Sequence, residues 1–108
     1  MSAITTHILD TSLGQPARNV AVALANADGE VVGRAHTDQD GRVRDLLPTP
    51  LQTGRYRISF DVEAYFEATG RHGFYPVVHI DFEVRDADQH YHVPLLISPF
   101  GYSTYRGS

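Results

Sequence analysis

The 108-residue sequence has no cysteine, no tryptophan and a single methionine. Without cysteine there is no disulfide to staple the fold, no thiolate nucleophile and no thiolate metal site. Basic residues are in the minority, nine against thirteen acidic ones, for a net charge of −4 with histidine neutral. That balance excludes a nucleic-acid or anionic-membrane partner held by a basic surface. No apolar run approaches the ~20 residues that a membrane-spanning helix needs. Met1 to His7 has neither a charged n-region nor an apolar core, so no secretory leader is expected. The final Arg106-Gly107-Ser108 is not a peroxisomal address. The expectation is a cytoplasmic protein with no membrane and no nucleic-acid partner.

What is present is an ordinary globular composition, 42% hydrophobic and 20% charged. That argues against global disorder. A chain of this length is expected to form one domain over residues 1–108. Folding at this size removes roughly 65% of the unfolded chain's surface from water, enough for one modest core.

The dominant pattern is short alternating segments separated by turn residues, which predicts an all-β sandwich. Ile4 to Asp10 alternates. Val20, Val22 and Leu24 form an apolar row, and Asn26-Ala-Asp-Gly29 turns the chain into a strand over Glu30 to Thr37. Asp38-Gln-Asp-Gly41 is a second turn, leading into a strand-like segment from Arg42 to Leu47 that Pro48 and Pro50 break. Tyr56, Ile58 and Phe60 make a core row, as do Val78, Ile80, Phe82 and Val84. His90 to Ser108 reads as two strands joined by a Pro-Phe-Gly turn. Val62 to Thr69 lacks a period of two. It predicts one short helix with Gly70 as its C-terminal stop. The fold class is a two-sheet sandwich with seven or eight strands and one helix.

Side chains alternate faces along a strand. Thr5, His7 and Leu9 therefore share one face of the first strand. Tyr91, Val93, Leu95 and Ile97 point to the core, and His90, His92, Pro94 and Leu96 point outward. Ser103, Tyr105 and Gly107 share a face of the last strand. An outward face carrying Leu9, Pro94 and Leu96 suggests a covering layer, most simply another subunit. His36, His72 and His79 read as surface histidines. His90 and His92, with His7 as a third, would suit zinc, although no carboxylate is fixed beside them. Asp38-Gln-Asp-Gly41 is a turn and not a calcium loop, since its Gly comes too early and no closing Glu follows. Ser98, Ser103 and Ser108 lack the strand–turn–helix setting of a nucleophilic serine.

Thr6-His-Ile-Leu-Asp-Thr11, then Gly14-Gln-Pro-Ala17, then Thr37-Asp-Gln-Asp-Gly-Arg42, then the histidine-rich C-terminal segment closely resemble the transthyretin-like family, in order and over essentially the whole chain. His7, Arg42, His92 and the terminal Tyr105-Arg-Gly-Ser108 resemble its hydrolase branch, which acts on 5-hydroxyisourate, and not its hormone carriers. The resemblance implies an eight-stranded transthyretin-like sandwich with one short helix. It implies a homotetramer, a dimer of dimers with its active sites in a central channel. It implies ring-opening hydrolysis without cofactor or metal, with 5-hydroxyisourate as small-molecule substrate. His7, Arg42, His92 and Ser108 would be catalytic, and Tyr105 would join them in binding substrate. Either histidine could be the base that activates water. Arg42 would offer a fork of donors, Arg106 would anchor the tail, and the terminal carboxylate would face cationic partners. Two other readings stay open: a carrier of a small aromatic ligand in the same channel, and a zinc hydrolase.

Overall fold

The computed structural model describes residues 3–108. Met1 and Ser2, where the segment inspected for a leader begins, lie outside the described residues. Two sheets face each other. One contains β1 (Ile4–Asp10), β2 (Gln15–Pro16), β5 (Arg42–Val43), β8 (Tyr91–Ser98) and β9 (Gly101–Thr104). The other runs β4 (Val31–His36), β3 (Ala21–Ala25), β6 (Gly54–Asp61), β7 (Val78–Val84). Strand β1 lies at the centre of the first sheet. It pairs in parallel with β8 along one edge, and antiparallel with β5 and β2 along the other.

The alternating rows form the core. Ile4 and Ile8 of β1, with Leu95 and Ile97 of β8, meet Leu24, Ile58 and Phe60 of the opposite sheet, and all are essentially inaccessible to water. Each such side chain contributes roughly 1.5–3 kcal/mol through burial. Helix α1 (Val62–Ala68) forms where the period changes. The Asp61 side chain accepts from the Ala64 N–H at its start, and Gly70 follows with a φ of 75°.

Two local expectations need correction. The segment after Arg42 pairs as a strand for only two residues, not to Leu47. Leu46 and Leu47 turn into the core, and the chain passes so close to Gly33 that a Cβ there would strike the Leu46 carbonyl. Gln15–Pro16 forms a two-residue strand that the pattern did not show, because two residues have no period.

A buried ionic cluster fastens β1 to the helix end. Asp10 is fully buried, and it accepts from Arg71 Nη2 at 2.6 Å, Tyr65 Oη at 2.7 Å and Ser12 Oγ at 2.9 Å. Burial alone would push the carboxyl up. The bonds from Arg71, Tyr65, Ser12 and the Leu13 N–H outweigh it and hold the group at about 2. Burial, reinforced by Asp10, pushes Tyr65 up to about 12. Because the folded-state value of Asp10 is depressed, its contribution is present above the usual carboxylate value of ~3.9 and is lost as pH falls toward 2. Asp10→Ala should therefore cost about 3–5 kcal/mol, since it strands the Arg71 charge. Denaturant melts at pH 7 and pH 3 check this, with the gap between variant and wild type narrowing at the lower pH.

Candidate functional site

The Asp38–Gly41 turn positions Arg42. Asp38 Oδ1 accepts from the Asp40 and Arg42 N–H groups at 2.9 and 3.0 Å, and the Gly41 N–H closes on the Asp38 carbonyl at 2.9 Å. Gly41 has a φ of 74°, and a Cβ there would lie 2.5 Å from the Ile8 carbonyl oxygen, so only glycine brings this turn against β1. Arg42 then pairs directly with His7, and His7 pairs with Pro94 on the other side. In the same way Thr5 pairs with His92, and His92 bridges to Gly107. Register thus places Arg42, His7, Thr5 and His92 on one face of the sheet, the face opposite the core.

Arg42, His92 and Ser108 line one open concavity of about 310 Å³, together with Thr5, His90 and Arg44. His7 stands beside it and is not part of its lining. Tyr105 is exposed and is not brought into the concavity: it borders a separate cleft with Phe82 and the core-facing Tyr91 and Val93, whereas Gly107 lies against the outward His92, so the two do not share a face as expected. His36 sits on the other sheet, and His79 pairs with Ser59 Oγ at 2.8 Å, also on that sheet. Among the described residues no three His, Asp or Glu side chains converge to hold a metal.

Both central imidazoles favour the neutral form. Burial lowers the His92 value, and the charges of Arg42, His7 and His90 lower it further. Burial and then Arg42 lower that of His7, against a hydrogen bond to the Asp40 backbone and the nearby Asp38 and Asp40 charges. Neutral imidazoles beside a guanidinium are suited to take a proton from water and to stabilise the oxyanion that forms.

The tail is built into this site. The Gly107 N–H donates to the His92 carbonyl at 2.8 Å. Arg106 anchors it, with Nη2 donating to Gln89 Oε1 at 2.9 Å and to the His90 carbonyl at 3.2 Å, and its guanidinium 4.5 Å from the Tyr91 ring centre. Arg106 thus anchors the tail through neutral partners. Pro94 of the outward row is buried within the chain itself, with Gly107 against its ring.

Sequence reading missed one residue, Thr5. Thr5 Oγ1 lies 2.8 Å from His92 Nδ1 and 3.0 Å from His90 Nε2. The signal was available, because Thr5 shares the His7 face, but a threonine on a strand rarely attracts attention. The need for Gly107 is also specific. A Cβ there would lie 2.5 Å from His92 Cδ2, so the glycine makes room for an imidazole ring. Gly107→Ala should rotate His92 and cut turnover roughly tenfold or more, with an unchanged melting temperature, since a 1 Å misplacement can cost about 10²-fold. Steady-state kinetics alongside thermal melts check it.

Known proteins resemble this chain along its whole length. It is 48% identical to a 5-hydroxyisourate hydrolase of Caulobacter vibrioides, with both chains fully covered. The solved 5-hydroxyisourate hydrolase of Klebsiella pneumoniae superposes with a TM-score of 0.90 at 41% identity, covering 97% of this chain and 98% of that one. Transthyretin from Sparus aurata superposes with a TM-score of 0.91 at 31% identity, covering 99% and 97%. Residues 4–107 match the HIUase/Transthyretin family, and the chain belongs to it.

Proposed function

We propose that this protein hydrolyses 5-hydroxyisourate, opening its six-membered ring to 2-oxo-4-hydroxy-4-carboxy-5-ureidoimidazoline in urate degradation. The observation that carries the proposal is the concavity shared by His92, Arg42 and Ser108. It belongs to a chain 48% identical to a 5-hydroxyisourate hydrolase. A carrier of an apolar aromatic ligand needs no base beside an arginine, and these residues count against that reading.

In the proposed reaction His92 accepts a proton from water through Nε2, and the hydroxide adds to a ring carbonyl. Arg42 donates to the oxyanion so formed. Collapse of the tetrahedral intermediate breaks the ring C–N bond, and the proton on His92 passes to the leaving nitrogen, restoring the neutral imidazole. His7, tied to the Asp40 backbone and neutral, stands beside the concavity as a second polar imidazole, and Ser108 supplies a hydroxyl to orient water or substrate. His92 is assigned as base over His7 because it lines the concavity. Tyr105 borders a separate cleft and is given no part in this step.

We further propose a homotetramer. Strands β7 and β9 end their sheets. Beside them Phe74, Phe100 and Tyr102 are 69%, 77% and 43% exposed, an aromatic surface costly to leave in water. Sedimentation should report four chains, and a fully active monomer would contradict the assembly. The chemistry is tested by 13C NMR of freshly made 5-hydroxyisourate. With protein present, a new carboxylate signal should precede the products of spontaneous decay. Persistence of intact, protein-bound substrate would instead favour the carrier.

A further inference from the structure

The His92 ring is held at two points. Nδ1 contacts Thr5 Oγ1 at 2.8 Å, and the Cδ2 edge lies against Gly107 with no space for a Cβ between them. Neither contact engages Nε2, and His92 lines the concavity. The proton on this ring therefore decides what the site can do. With hydrogen on Nδ1, Nε2 presents a lone pair and can accept a proton. With hydrogen on Nε2, the ring is a donor and cannot act as base.

Thr5 has one hydroxyl hydrogen and two imidazole partners, since Oγ1 also contacts His90 Nε2 at 3.0 Å. Each contact needs one hydrogen. If Thr5 donates to His90, then His92 Nδ1–H must donate to Thr5, and Nε2 is free. If Thr5 donates to His92, the ring carries its hydrogen on Nε2 and the base is lost. The charged or titratable groups acting on His92 are Arg42 from β5, His7 from β1 and His90, which immediately precedes β8.

We propose that Thr5 and His90 are positioning residues that hold His92 in the Nδ1–H form. His90 supplies the acceptor that turns the Thr5 hydrogen away from His92. Thr5 Oγ1 then accepts from Nδ1–H, and continues to do so when Nε2 has taken its proton, so the same contact steadies the imidazolium. No net proton passes through Thr5. The kinetic consequence rests on the hydrolase reading, whereas the tautomer can be measured without any substrate.

The test uses full-length wild type, Thr5→Val and Thr5→Ser. Valine keeps the shape and removes the hydroxyl, and serine restores it. In long-range 1H–15N spectra of imidazole-labelled protein at neutral pH, wild-type and Thr5→Ser His92 should show a protonated Nδ1 and an unprotonated Nε2. Thr5→Val should shift toward the opposite tautomer. On 5-hydroxyisourate, Thr5→Val should lose about 10–10²-fold in kcat with little change in KM, less than the ~10²–10⁴-fold expected for removing the base. Thr5→Ser should stay within a few-fold of wild type. A wild-type His92 protonated on Nε2, or a Thr5→Val enzyme with wild-type kcat, would overturn the proposal. If wild type failed to accelerate the reaction, the hydrolase reading would fall, and the spectra would still decide the tautomer.

Discussion

His92→Ala should lose ~10²–10⁴-fold in kcat/KM while folding normally, because a positioned acid–base group contributes that much and this ring is not part of the core. Its face of β8 points away from the opposite sheet, and the parallel pairing with β1 runs through the backbone. His7→Asn should also lose activity, by less, since His7 stands beside the concavity and its ring is tied to the Asp40 backbone. His36→Ala should match wild type, as His36 sits on the other sheet. The wild-type pH profile follows from the same assignment. The base must be neutral to act. Its value is lowered below the usual 6.5 by burial, then Arg42, then the other histidines. Activity should therefore persist as pH falls through 6.5 and decline only below it. Near-wild-type turnover in both His92→Ala and His7→Asn, with the assembly intact, would refute the assignment.

Arg42→Lys should lose about 10²–10³-fold in kcat/KM, the range for removing a donor to a developing oxyanion. Charge is conserved in this variant and geometry is not. The guanidinium offers a rigid planar fork, while an ammonium is a hydrated point charge on a flexible stem. The structure spends several contacts on placing this one residue. Asp38 fastens its N–H, Gly41 allows the turn to touch β1, and pairing with His7 sets its face. A lysine would inherit that backbone but not the fork. Steady-state kinetics on both proteins separate the alternatives. Equal kcat/KM would mean that Arg42 supplies only a general positive field.

Much of this was readable from residues alone, and the reasons for success and failure are physical. Ile4 to Asp10 alternates over seven residues, so its strand, its faces and the outward direction of His7 followed directly. His92 followed in the same way from the Tyr91 to Ile97 row. The helix announced itself as a break in period. What could not be read was contact between distant strands. Nothing in the sequence sets β1 parallel to β8 in the register that joins Thr5 to His92, 87 positions apart. The ion pair between Asp10 and Arg71 is equally invisible, since a single aspartate ending a strand looks like a turn residue. Gly107 was legible as part of the last strand, but not as the residue that makes room for the His92 ring. The Arg42–Leu47 segment misled because its apolar residues face the core from a loop, and burial leaves the same trace there as in a strand.

This protein is expected to accelerate ring opening of 5-hydroxyisourate. The most direct measurement is the ultraviolet decay of the compound, freshly generated from urate, at several protein concentrations. The initial rate should rise in proportion to wild-type concentration and exceed the spontaneous decay at catalytic amounts of protein. A decay that stays at its spontaneous rate at every protein concentration would contradict it.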